Sequence, residues 1–132
     1  MEVFMLSESA NTPEVFMDPD TGVMRVRGRA IPEDAEKFWS PVLKWFYAYA
    51  AIPANQTVFT FQLEYINIAS AKRVLFLLNK LSEMNESGAS VEVQWLFSSD
   101  DADIYEVGKD LSTMVEIPFH FKEINQVYSQ AM

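Results

Sequence analysis

The sequence predicts a single α/β domain with a mixed β-sheet, about three main helices and an N-terminal β-hairpin. Three observations support this fold class. Segments with strictly alternating apolar residues take turns along the chain with segments whose apolar residues recur at helical spacing. The chain has 132 residues, which suits one domain, and 49% of them are hydrophobic, which is enough for a buried core. There is no cysteine, so no disulfide framework replaces that core.

The hairpin is predicted from residues 14–18 and 23–29, which are joined by the turn sequence PDTG. In the second strand Met24, Val26 and Gly28 share one parity and are expected to face the core. Val23 and the three arginines 25, 27 and 29 share the other parity and are expected to face solvent. Residues 2–6 are a candidate for one more strand.

A helix is predicted from about residue 33 to residue 51, after Pro32 and with acidic residues in its first turn. Its apolar residues at helical spacing are Phe38, Val42, Trp45, Phe46 and Tyr49. Pro41 lies inside it, so we expect a kink or two abutting helices, with Ser40 capping the second. Trp39 falls near the edge of the buried stripe and is either a core residue or an anchor for a partner.

Residues 57–65 alternate as a half-buried strand, with a core set of Thr57, Phe59, Phe61, Leu63 and Tyr65. A helix over about 68–86 follows, with Asn67 as its N-cap and Gly88 as its stop. Its predicted buried face consists of Ala71, Val74, Leu75, Leu78 and Leu81.

The remaining chain predicts a strand over 90–97, an acidic helix over about 101–114 and a short strand that opens at Pro118. Val91, Val93, Trp95 and Phe97 share the core face of the first of these strands. We expect one domain over 1–132 with its core at about 12–122, and a frayed tail over 123–132 without periodicity.

Composition restricts the partners. The net charge is −9, from 19 acidic against 10 basic side chains. A field of this sign repels phosphate backbones and anionic lipid, so we expect neither nucleic acid nor a membrane as partner, but proteins. The first ten residues lack a basic region and a long apolar run, which predicts a cytoplasmic protein without a secretory signal.

Groups for catalysis are scarce. His120 is the only histidine, and its strand alternation points it away from Phe119 and Phe121, toward solvent. One histidine and no cysteine argue against a metal site, and no nucleophile elbow or phosphate-binding glycine loop is present. The acidic residues at 100, 101, 103 and 106 are explained by the start of a helix. We therefore expect no catalytic residue, no cofactor and no metal.

The strand-to-helix joint at LEYINIASAK, residues 63–72, has two interpretations. Asn67 can cap the first turn of the helix, which is a sufficient structural reason for it. A helix N-terminus also favours a phosphate, so a hydroxyl here could be a phosphorylation site. Spacing alone favours the cap.

The ordered set of motifs resembles the SiaC family of bacterial regulatory phosphoproteins over about residues 12–122. It consists of TPEV, DPDTGVMRVRGRAIPEDA, FWSPVLKWF, FQLEYINIASAK, VEVQWLF and IPFHF. The resemblance implies a fold like that of anti-sigma-factor antagonist (STAS) domains and a non-enzymatic role. It implies protein partners: a diguanylate cyclase that the unphosphorylated form activates, promoting biofilm through cyclic-di-GMP, a SiaB-like kinase and a PPM-type phosphatase.

Carried across by resemblance, Tyr65, Asn67 and Ser70 match the family's segment after this strand, and Lys72 matches the basic residue that follows it. The phosphorylated threonine of the family falls on Ile68, which has no hydroxyl. Ser70 is the possible substitute acceptor. The resemblance with this departure implies a SiaC-like binding module without the standard switch, which either binds its partner constitutively or has changed to another partner. With Ala69 beside it, an apolar Ile68 would make this helix start a better hydrophobic contact than a regulated one.

Two other classes of function stay open at this point. The first is a small-molecule-binding or enzymatic domain with a pocket rimmed by aromatic residues and an Asp or Glu base. The second is a self-associating structural module. A deep apolar pocket with convergent polar groups would favour the former, and size measurements at several concentrations would test the latter.

Overall fold

The chain alternates strands and helices in the predicted order. The computed structural model describes residues 1–124. Within this range the elements are β1 (Phe4–Leu6), β2 (Glu14–Met17), β3 (Val23–Ala30), α1 (Ala35–Ala51), β4 (Gln56–Ile66), α2 (Ile68–Glu86), β5 (Ser90–Ser98), α3 (Ala102–Ser112) and β6 (Phe119–Ile124). The candidate strand at residues 2–6 is β1. The frayed tail predicted over 123–132 is wrong for residues 123 and 124, which belong to β6. The rest of that tail, from residue 125, lies outside the described residues.

The six strands form one mixed sheet in the order β1-β2-β3-β4-β5-β6. The pairs β1–β2 and β2–β3 are antiparallel, whereas β3–β4, β4–β5 and β5–β6 are parallel. Each parallel connection moves one strand further in the same direction. Because such crossovers are right-handed, α1, α2 and α3 all lie on one face of the sheet. The predicted α/β fold with an N-terminal hairpin is confirmed.

The core lies between that face and the helices. Register places Met24, Phe59 and Val93 side by side across β3, β4 and β5. A row of aromatic rings runs along the same face, with Phe46 of α1 against Phe59, Phe59 stacked on Phe61, and Phe61 against Trp95. As predicted, the other face of β3 carries the arginines.

Trp39 is a core residue and not an anchor for a partner. Its side chain is completely buried, and its indole Nε1–H donates a 2.8 Å hydrogen bond to Ser70 Oγ. The expectation that it lies at the edge of the buried stripe is wrong. The helix is rotated so that Ala35, Trp39, Val42, Phe46 and Tyr49 are buried, while Phe38 and Trp45 are only half-buried.

Of the two outcomes expected at Pro41, the one with two abutting helices is also wrong. α1 is one helix through Pro41, and its N-cap is Asp34, whose side chain accepts a hydrogen bond from the Lys37 N–H. Ser40 is therefore an interior, exposed residue and caps nothing. Proline removes a single backbone donor, and the buried aromatic residues on both sides of it hold the helix on the sheet.

The bounds predicted for α2 are confirmed at both ends. Val74, Leu78 and Leu81 are buried as expected, Ala71 and Leu75 are half-buried, and Ser70, Leu77 and Met84 complete the buried face. After the helix, Gly88 has φ +97°, its N–H bonds to Asn85 O and the next N–H bonds to Met84 O. This is a Schellman ending, which needs a residue in the left-handed region.

Across residues 1–124, no helix combines the length and the apolar character that a membrane crossing requires.

Candidate functional site

Asn67 is the single residue between β4 and α2, and it fixes the joint to its neighbours. Its side-chain Oδ1 accepts a 2.8 Å hydrogen bond from the Ser70 N–H, which is the predicted N-cap. Its Nδ2 donates to Pro32 O at 3.3 Å, and its backbone N–H donates to Ala30 O at 3.0 Å. The start of α2 is thus bonded to the end of β3 and to the loop that follows it.

Tyr65 does not face the core, contrary to the alternation of its strand. The β3–β4 register shifts here: Gly28 pairs with Leu63, but Arg29 pairs with Tyr65, which leaves Glu64 as an extra residue. Such a bulge places two residues opposite one and reverses the parity beyond it. Tyr65 therefore lies on the outward side of the sheet, with 55% of its surface exposed.

The bulge brings Tyr65 to Arg29. The Arg29 guanidinium carbon lies 4.8 Å from the centre of the Tyr65 ring, which is a cation–π arrangement. The outward parity of Arg29 could be predicted from the sequence, but its contact with Tyr65 could not, because only the bulge creates it.

Ile68 is the first residue of α2, and it is 91% exposed. No other large apolar residue in the described part of the chain is more exposed. Ala69 is exposed beside it, and Lys72, one turn further along the helix, is exposed as well. An isoleucine side chain this open to water gains free energy from any apolar partner that covers it.

Ser70 has the opposite environment. It is completely buried, its Oγ accepts the hydrogen bond from Trp39, and its N–H donates to Asn67. A phosphoryl group on this oxygen would need space that the core fills and would break the bond to Trp39. In this structure the Ser70 hydroxyl is closed off from solvent between α1 and α2.

Two other polar residues considered from the sequence, His120 and Asp101, make contacts that are explained by the fold. The His120 side chain is 60% exposed, as predicted, and its Nε2 lies 3.4 Å from a Glu92 carboxylate oxygen. Asp101 is the N-cap of α3 and accepts a hydrogen bond from the Ile104 N–H at 3.0 Å. Across residues 1–124 there is no group of three or more His, Cys, Asp or Glu side chains that could hold a metal ion.

Two depressions of the described surface bear on the enzymatic alternative. One is lined by Asp34, Glu36, Lys37, Ser40 and Pro41 near the start of α1. The other lies between the ends of α1 and α2 and includes Pro53, Lys80 and Met84. Both are open, and neither has an aromatic side chain in its lining. Neither is the aromatic-rimmed pocket that this alternative requires.

A comparison with known protein families decides the family. Residues 6–124 match the model of the SiaC family regulatory phosphoproteins. The chain belongs to the SiaC family.

Relatives of this SiaC family member are found in Pseudomonas aeruginosa. An uncharacterized protein of strain UCBPP-PA14 is 22% identical over 109 residues, which is 83% of this chain and 86% of the relative. The crystal structure of apo-SiaC superposes with a TM-score of 0.85 at 21% identity, over 92% of this chain and 99% of that one. The structure of the diguanylate cyclase SiaD in complex with its activator SiaC gives 0.87 at 20% identity, over 92% and 99%. These structures show the fold of this chain.

Proposed function

We propose that this SiaC family member is a non-enzymatic regulatory protein that binds and activates a diguanylate cyclase. We further propose that the start of α2 is its contact surface and that phosphorylation does not switch it there. The observation that carries the proposal is Ile68, an exposed apolar residue at the position where, by resemblance, the family has its phosphorylated threonine.

The proposed partner is supported by the structure of SiaC with the diguanylate cyclase SiaD. That SiaC chain shares the fold of this one over nearly its whole length. At 20% identity the likeness concerns the fold, so the cyclase is an inference for this chain. The family description as regulatory phosphoproteins supports a role in signal transduction, and by extension in cyclic-di-GMP and biofilm control.

Two neighbouring side chains support the proposal that phosphorylation does not switch the protein at the start of α2. Isoleucine has no hydroxyl to accept a phosphoryl group, and the hydroxyl of Ser70 is buried against Trp39. Covering the Ile68 side chain would contribute about 1.5–3 kcal/mol to binding. We therefore infer constitutive binding, in which a SiaB-like kinase and a PPM-type phosphatase have no acceptor at this joint. We also propose that the protein acts in the cytoplasm.

Ile68→Asp tests the contact surface. The variant puts a negative charge at the first residue of α2, where the helix dipole favours it, so the fold should be retained. The same charge would meet the partner where Ile68 offers an apolar contact. We expect binding to the host's diguanylate cyclase, measured by titration calorimetry, to weaken at least about tenfold.

Ile52→Asp is the matched control, because Ile52 is also an exposed isoleucine, 88% exposed, but lies at the end of α1. This variant should bind like the unmodified protein. If the cyclase bound the unmodified protein and Ile68→Asp with equal affinity, the start of α2 would not be part of the interface. If the unmodified protein bound none of the diguanylate cyclases of its host, the proposed function itself would be contradicted.

A further inference from the structure

We infer that the surface around Ile68 recognises a protein segment that places a carboxylate beside an apolar side chain, and that Arg29 receives the carboxylate. This inference rests on the proposed function and deepens it, since it names the chemistry of the partner's contact and a residue that selects it.

Arg29 differs from the other two arginines of β3. Glu14 on the neighbouring strand forms salt bridges with both Arg25 and Arg27. Its Oε1 lies 2.9 Å from Arg25 Nε, and its Oε2 lies 3.6 Å from Arg27 Nη2. Arg29 has no carboxylate partner among residues 1–124. In a chain with a net charge of −9, this exposed guanidinium has not been neutralised by a nearby acidic side chain.

The Tyr65 ring prepares Arg29 for a carboxylate. The guanidinium carbon lies 4.8 Å from the ring centre, and the N–H groups of a guanidinium lie in its plane, where a ring over its face leaves them free to donate. Those N–H groups match the two oxygens of a carboxylate, and such bidentate pairs are stronger than neutral hydrogen bonds. Because the ring already restricts the side chain, less conformational entropy is lost when the pair forms.

The apolar half of the recognised segment follows from the start of α2. Ile68 and Ala69 are exposed there, and Lys72 and Arg73 stand one turn further along. The Arg73 Nη1 is bonded to Ala69 O at 3.2 Å, so this cation is held beside the apolar residues. Apolar side chains bordered by cations suit an acidic and apolar protein segment.

Polyanions fit the same surface poorly. The net charge of −9 repels nucleic acid and anionic lipid as a whole, whereas one or two carboxylates of a protein segment meet only the local cations. A carboxylate-bearing protein segment is therefore the occupant that the charges favour.

The experiment is a titration of the host's purified diguanylate cyclase with the full-length protein at low and at high salt. Arg29→Glu should weaken binding at least about tenfold, and Arg29→Gln, which adds no negative charge, several-fold. The unmodified protein should lose affinity as salt rises, and Arg29→Glu should lose less or none. Lys44→Glu is the control, because it makes the same charge change at an exposed position on α1 and should bind normally.

The outcomes separate the inference from the function on which it rests. Weaker binding by Ile68→Asp together with normal binding by both Arg29 variants would overturn the carboxylate site and leave the proposed function intact. If phosphatase treatment of the cyclase abolished binding, Arg29 would recognise a phosphoryl group of the partner, and the inference of a carboxylate would be wrong as well. If the unmodified protein does not bind the cyclase, both proposals fail. Thermal unfolding of each variant verifies that it is folded.

Discussion

Ile68 and Ser70 are two positions apart on α2 but lie in opposite environments. The first is 91% exposed and the second completely buried. A helix turns by about 100° per residue, so two positions apart are on nearly opposite sides of it. Ser70 points to the core and to Trp39, and Ile68 points to solvent. The residue with the hydroxyl is therefore inaccessible, and the accessible residue has no hydroxyl.

The bond between Ser70 and Trp39 gives a prediction at the same scale. In Ser70→Ala the buried indole N–H loses its acceptor, so the free energy of unfolding should fall by about 1–3 kcal/mol. Urea denaturation measures the loss. Ser40→Ala, at an exposed position of α1, should change the stability by less than about 0.5 kcal/mol. Equal, small effects of the two variants would show that the bond to Trp39 does not stabilise the fold.

Some of these residue environments could be predicted from the sequence and others could not. The cap at Asn67 follows from local spacing, because a cap is made within one turn of chain. The outward position of Tyr65 depends on a bulge that pairs two residues with one of a distant strand, and alternation cannot reveal it. The burial of Trp39 and Ser70 likewise depends on how α1 and α2 pack together.

At the scale of elements, α2 is defined by chemical signals at both ends. Asn67 satisfies the Ser70 N–H at the start, and Gly88 allows the left-handed turn that satisfies two carbonyls at the end. Both signals are visible in the sequence, which is why the bounds of α2 could be predicted. The bounds of α1 could be predicted as well, since about 33–51 was expected and Ala35–Ala51 is found. The continuity of α1 through Pro41 could not, because it depends on how the whole helix packs on the sheet.

The cap carries a prediction for α2. Asn67→Ala should lower the free energy of unfolding by about 0.5–2 kcal/mol, because the first turn loses an acceptor for the Ser70 N–H. Asn67→Asp keeps that acceptor and should lose less, although it gives up the bond to Pro32 O. Thermal unfolding, with hydrogen exchange of the Ser70 amide, compares them. Equal losses would show that the bond to Pro32, and not the cap, sets the stability of this joint.

At the scale of the whole molecule, the topology places the starts of α1, α2 and α3 at one edge of the sheet, after the parallel strands β3, β4 and β5. That edge is where Asn67, Ile68 and the end of β3 with Arg29 come together. The order of elements could be predicted from alternating periodicities and fixes this edge. The contact between Arg29 and Tyr65 across two strands could not be predicted, since it requires the register of the folded sheet.

The central claim is that this SiaC family member lacks the phosphorylation switch at the start of α2. Intact-mass spectrometry of the protein isolated from its own host tests it most directly. We expect only the unmodified mass, since the Ile68 side chain has no hydroxyl and the Ser70 hydroxyl is buried. A stoichiometric species heavier by about 80 Da, with the phosphoryl group localised to Ser70, would contradict it.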